Sequence, residues 1–297
     1  MKSLSLRIAA CILLGASLVL VACQSTKSST ASKMLRFNFE NGKGYDYEMN
    51  MSMDQSIQGA GPVKMDMLFY YSLDVTGEEG ELKNVRARYD RFKMKMAVMG
   101  MNLDVDTDNP PKTEEESEGN PLAMMDKMFG AIKGKEFNMK INREGKVLEV
   151  TGFKEMVGSM LDSMGLKDQD REEAMKQFED QFSDEKSKAQ FERLLYIFPN
   201  KEVKVGDSWN RSTSGSGMTY NSKYTVKEIE GDMITLDEES EVESDRGGQH
   251  IKGELTGTVV VDSRSGLIVK ADQDLAMKNE SPAFTLHLKT SVKGKAR

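Results

Sequence analysis

The sequence holds few side chains whose type and spacing could do chemistry together. Its two histidines, His250 and His287, fall on separate strand-like segments, and neither sits in a His-Glu-x-x-His helix or another zinc spacing. His287 lies between Leu286 and Leu288, so strand alternation turns it to the opposite, wet face. The run Ser214-Gly215-Ser216-Gly217 is not a Gly-x-Ser-x-Gly elbow and lacks the strand-to-helix setting of one, so it reads as a mobile loop. No glycine-rich loop carries a lysine for phosphate. Neither catalysis nor a cofactor is expected.

Two metal chemistries are better spelled. Asp104, Asp106 and Asp108 fall at alternate positions, and Glu115 is twelfth from Asp104, the oxygen-ligand spacing of an EF-hand loop. The sixth position is Asn109, however, where the bend requires glycine, and Pro110-Pro111 follow. A solvated acidic loop is the expected reading, with calcium as the alternative. Met-x-Met pairs recur at Met49/Met51/Met53, Met65/Met67, Met94/Met96 and Met99/Met101, and thioethers suit Cu(I). Alternation sets the members of each pair on one face, but a methionine-filled sheet has the same spacing, and no nearby His or Cys completes a copper site. The expectation is a pliable apolar face, with Met49, Met51, Met65, Met67, Phe69, Met94 and Met96 as candidate ligand contacts. Trp209, the lone tryptophan, is a further candidate that either lines a cavity mouth or anchors packing through a satisfied N–H.

The sharpest motif lies near the start. Lys2 and Arg7 precede an apolar stretch, Ile8 to Val21, that is short for a bilayer span and matches the middle of a secretion signal. Leu20-Val21-Ala22-Cys23 then looks like a lipobox, in which the thiol takes a diacylglycerol and cleavage frees its amine. Residues 1–22 are expected to be a signal and Cys23 the acylated terminus, with 23–33 a Ser/Thr/Lys tether to the membrane. No aspartate or acidic patch follows the cysteine; by similarity to lipoprotein sorting rules this favours the periplasmic face of a bacterial outer membrane. Cys11 leaves with the signal, so the folded part has neither thiols nor disulfides and must rest on its core.

Charge narrows the partners. The chain has 41 basic and 48 acidic residues, net -7; losing Lys2 and Arg7 with the signal leaves 39 basic residues and a net charge of -9. Binding to nucleic acid through counterion release is excluded on that balance.

The elements that must position these residues are mostly strands. Apolar residues alternate through Tyr45, Tyr47, Met49, Met51 and Met53, and again from Val63 to Val75, with glycine turns at 59–62 and 77–80. Val85, Ala87 and Tyr89 lead into Met94 and Met96, and the phase flips around Gly100, a bulge or tight hairpin. A β-meander is expected over 35–106, a loop and short helix over 107–132, and a hairpin over 135–150. Phe153, Met156, Val157, Met160 and Leu161 then switch to helical spacing, opening a helical insert over 152–198 that Pro199 ends. A β-rich part follows over 203–294. Tyr71-Ser-Leu-Asp-Val75 and Tyr224-Thr-Val-Lys-Glu228 each enter a glycine turn, which leaves an internal repeat and mere hairpin likeness equally open.

Leu35-Arg-Phe-Asn-Phe39 with Gly42-Lys-Gly-Tyr45, Phe198-Pro199 with Val205-Gly-Asp-Ser-Trp209, and Val261-Asp262 with Ser265-Gly266-Leu267 resemble the DUF6263 family, envelope lipoproteins common in Bacteroidetes. The resemblance implies a location and brings no activity with it. A late turn is also similar to one in LolA-like and LppX-like lipoprotein carriers, curved half-barrels that hold acyl chains in a hollow; that is analogy at the level of fold. Residues 34–297 are expected to form one α+β domain dominated by a curved antiparallel sheet or half-barrel, the insert lying against one face. The expected function is non-enzymatic binding of a lipid, another hydrophobic ligand or a partner segment. The alternative is a structural lipoprotein with a filled core, and a hydrolase ranks last. Replacing Cys23 with Ser is expected to abolish labelling by an alkyne-tagged fatty acid and to shift the protein from the membrane to the soluble fraction; labelling that survives the change refutes the assignment.

Overall fold

The computed structural model describes residues 32–59, 61–98, 101–110, 129–163, 171–173, 175–176, 184–215, 217–246, 249–280 and 283–297. Cys23 and Glu115 lie outside them, as do most of the expected tether and of the loop and short helix over 107–132.

In chain order the strands β1 (Lys33–Leu35), β2 (Gly44–Ile57), β3 (Gly61–Glu79), β4 (Leu82–Val98), β5 (Met101–Asp106), β6 (Glu136–Ile141) and β7 (Val147–Thr151) lead to two helices, α1 (Phe153–Ser163) and α2 (Asp184–Leu195). Then come β8 (Lys201–Val203), β9 (Ser208–Gly215), β10 (Met218–Glu230), β11 (Met233–Arg246), β12 (Gln249–Asp262), β13 (Leu267–Glu280) and β14 (Ala283–Ala296). The class is α+β, and antiparallel sheet dominates it. One sheet of 12 strands runs in the order β7-β6-β4-β3-β2-β14-β13-β12-β11-β10-β9, with β5 on the second half of β4; β1 and β8 pair separately.

The two ends of that order, β7 and β9, both pack on α2. The sheet has therefore curled until its edges face one helix, yet the edges do not pair with each other. The result is an open barrel with a helix across its seam. Bulges add to the curl by raising local twist. At one of them Asp90 is the extra residue, because Tyr70 pairs with Arg91 and Tyr71 with Tyr89. Val85 and Ala87 are buried before it, Phe92 and Met94 after it, so the inward phase switches there without losing the inner face.

One end of the barrel is filled by the chain's own N-terminal segment. Leu35, Phe37 and Phe39 are fully buried, and Phe39 stacks on Tyr45 at 3.7 Å between ring centres. The segment is laced to two turns, Phe37 N–H donating to the Arg143 carbonyl at 2.8 Å and Asn38 N–H to that of Ser265 at 2.9 Å. Ser214 and Gly215, expected in a mobile loop, instead end strand β9 and enter the hairpin to β10. Apolar alternation does not mark this edge strand, because after Trp209 its residues are polar, with only Thr213 buried.

The β6–β7 turn fixes where α2 ends. Gly145 has φ 81°, and a Cβ there would come 1.8 Å from the carbonyl oxygen of Leu195, the last residue of α2. Gly145→Ala combines a left-handed backbone with that overlap, so a loss of about 2–4 kcal/mol is expected in urea unfolding. An unchanged midpoint would mean that α2 does not seat against this turn.

Candidate ligand-binding cavity

Lateral register gives the inner face its chemistry. One cross-strand row starts at Met94, Met67 and Met51 on β4, β3 and β2, and continues through Thr290 and Gln273 on β14 and β13. It then crosses Gly257 on β12 and reaches Glu238 on β11, Tyr224 on β10 and Trp209 on β9. The row is apolar at one end and polar at the other. Gly257 makes the transition possible: a Cβ there would sit 2.9 Å from Gln273 Cγ, so its absence lets Gln273 lean across β12. The Gln273 amide nitrogen reaches Glu238 Oε2 at 2.6 Å.

Glu238 is a carboxylate in the inward phase of an apolar strand, between Leu236 and Val242, and its side chain is wholly buried. Its Oε1 accepts from Tyr224 at 3.1 Å, Ser240 at 3.2 Å and Ser222 at 3.3 Å. The counter-charge comes from α2, whose Arg193 Nη2 lies 2.9 Å from the same oxygen. The guanidinium also lies over the Tyr220 ring at 4.6 Å. Burial works against the charge on Arg193, but the neighbouring carboxylate more than offsets it and holds the group above its usual pKa. Burial also raises Tyr224, and Glu238 adds to that effect.

Between α2 and the inner face remains a cavity of about 410 Å³. Its walls come from both halves of the sheet: Met49, Met51, Met67 and Phe69 on one side, Leu255, Val259 and Leu275 on the other. Phe191 and Leu194 of α2 form the roof, with Gln190 and Arg193. The lining also holds Tyr71, whose buried hydroxyl has no hydrogen-bond partner among the described residues, and Tyr89, pushed up to about 12 by burial. Arg88 borders the cavity too, but its head turns to Asp90 at 2.7 Å and to Ser72.

The sequence candidates separate accordingly. Met49, Met51, Met67 and Phe69 line the cavity. Met94 is buried in a neighbouring cluster with Phe92 and Val105, against which Met65 packs, and Met96 is half-buried opposite Met65. Trp209 is not among the lining residues; its indole N–H donates to the Ile197 carbonyl at 2.8 Å and its ring stacks near Tyr224, so it anchors packing. Of the calcium candidates, Asp104 and Asp106 lie on strand β5, Asp108 follows it, and Glu115 lies outside the described residues. Asp106 meets Arg91 at 2.7 Å, which holds its carboxyl below the usual range; Asp108 meets Lys133 at 2.6 Å and Asp104 meets Lys95 at 3.6 Å. Both histidines are exposed, His250 beside Asp245 and His287 beside Asp274. Among the described residues no cluster of three or more His, Cys, Asp or Glu side chains could hold a metal.

The signature of a family described as "Family of unknown function (DUF6263)" matches residues 80–268, well over half of the 297-residue chain. The chain belongs to the DUF6263 family. The span shared with DUF6263 contains Arg193, Glu238 and all of α2, whereas Met49, Met51, Met67 and Gln273 fall outside it. No curated protein matches the sequence. Among solved structures, lipovitellin, studied for its lipid–protein interactions, is similar with a TM-score of 0.49 and 8% identity over 87% of this chain. This chain spans only 25% of that lipovitellin chain. DynF from the dynemicin biosynthesis pathway of Micromonospora chersina scores 0.21 at 7% identity, covering 90% of this chain and 86% of its own. Pseudomonas aeruginosa OccK5 scores 0.23 at 7% identity, covering 88% and 99%. Scores below 0.5 assign neither a fold family nor a function.

Removing Glu238 strands the Arg193 charge. Glu238→Ala is expected to cost about 3–5 kcal/mol in chemical unfolding, and the double change with Arg193→Met clearly less than the two single costs added. Strict additivity would mean the two groups do not interact.

Proposed function

We propose that this protein is an envelope lipoprotein that holds a lipid or another hydrophobic molecule inside its curled sheet and catalyses no reaction. The observation that carries the reading is the 410 Å³ space between α2 and the inner face. Small barrels ordinarily fill such space with side chains. Left empty, a hollow of this size forfeits on the order of several kcal/mol of packing, which a bound apolar molecule would restore. The volume lies within the range of small-molecule sites, and a mostly apolar lining with a few polar groups is their usual composition. Methionines on one wall suit an adaptable fit. Among the described lining residues none is a Ser, Cys, His, Asp, Glu or Lys, which favours binding over hydrolysis.

The address comes from the sequence. The basic start, the apolar stretch and Cys23 support an acylated terminus, with the outer membrane's periplasmic face as the site of action. The competing reading, a structural lipoprotein without a ligand, is separated by one experiment. The mature chain, with Ser in place of Cys23 and exported behind an ordinary cleavable signal, is purified without detergent and its solvent extract analysed by mass spectrometry. A stoichiometric apolar molecule is expected, together with a lower ligand-to-protein ratio in Met67→Trp, which narrows the cavity. A clean extract, and no uptake when lipids are offered later, would leave only the structural reading.

A further inference from the structure

The polar wall of the cavity specifies a head group, and this step rests on the lipid-binding reading above. Arg193 keeps 18% of its side-chain surface accessible, while Glu238 behind it keeps 0%. Arg193 lines the cavity, so that accessible surface faces the hollow. Among the described residues its N–H groups bond only to Glu238 Oε1, which leaves most of the five unused. Beside it, Gln273 must turn its amide nitrogen to the carboxylate, which leaves Oε1 as an acceptor with no partner among the described residues. The wall therefore offers a donor and an acceptor side by side.

It offers no net charge. The positive charge of Arg193 is already answered by Glu238, and Arg88, the other cation among the described lining residues, is bound to Asp90. A ligand carboxylate placed there would be a second anion against one cation, in a setting that penalises an uncompensated buried charge heavily. A hydroxyl meets no such penalty: it accepts from Arg193 and donates to Gln273. At about 410 Å³ the cavity lies toward the small end of the range of small-molecule sites, which suits one acyl chain better than two.

We infer that the ligand is a single-chain lipid with an uncharged hydroxyl-bearing head, such as a monoacylglycerol or a long-chain alcohol, with its head at Arg193 and Gln273 and its chain along Met49, Met51 and Met67. The test uses the mature chain with Ser in place of Cys23, stripped of endogenous lipid. Equilibrium dialysis measures binding of 1-monomyristoylglycerol, myristyl alcohol and myristic acid. The ester and the alcohol should bind equally well at about pH 5.5 and about pH 7.5. Myristic acid should enter as the neutral acid, so its affinity should fall at least tenfold across that interval, since each pH unit above its pKa removes about nine-tenths of the neutral form. Glu238→Gln leaves Arg193 unanswered, and the preference should invert toward myristate at the higher pH. If that variant does not fold, the wild-type comparison decides alone. Myristic acid that binds at about pH 7.5 as tightly as the ester overturns the head-group assignment and leaves the lipid-binding reading standing. Failure of all three probes to bind removes both.

Discussion

An antiparallel sheet that curls without closing keeps two edge strands whose outer hydrogen-bonding groups have no strand to pair with. Here one helix covers both. α2 lies against β7 and β9 together, and the approach is close on each side: Gly145 leaves no room for a Cβ beside Leu195, and Gly215 brings β9 to within 3.4 Å of the Ala189 backbone when a Cβ is imagined there. Because a helix is wider than a strand, wedging it into the seam holds the opposite walls of the sheet apart. The hollow is thus a geometric result of how the edges are sealed. The Arg193–Glu238 pair ties the wedge to β11, two strands in from the β9 edge, and its burial makes that attachment expensive to lose.

Two kinds of interior follow from this arrangement. Toward the end filled by Leu35, Phe37 and Phe39 the core is made of aromatic rings in contact, with Tyr45 and Phe198 among them, and little room remains. A few rows along the same strands the side chains become methionine, leucine and threonine, half-buried and flexible. Rigidity at one end and adaptability at the other come from residue choice within continuous strands.

Much of this was legible in the sequence. Alternation over β2 and β3, and apolar strand-like runs between turn residues over β10 to β14, specified strands and a half-buried sheet, because a period of two arises from little besides a pleated strand with one wet face. The helical stripe from Phe153 was equally plain. What stayed hidden was register. Met49, Met51, Met65, Met67, Met94 and Met96 read alike along the chain, and only lateral pairing separates those at the cavity from those in the next cluster. Glu238 did leave a trace, a carboxylate in the phase of Ile234, Leu236 and Val242. Its partner could not be read, since nothing local to α2 points Arg193 at a strand 45 residues away. Asp90 had a trace as well, in the gap of three between Tyr89 and Phe92.

The strand order has a further consequence for how the molecule comes into being. β2 and β14 are neighbours in the middle of the sheet, so the earliest long strand waits for the last one in the sequence. Until β14 arrives, a nascent chain holds two separate meanders, each with a long edge facing the gap, and the first contacts to form are those within each meander. β14 acts as a keystone. Its insertion sets the two walls of the hollow at their final separation, so the cavity does not exist until the last strand is in place.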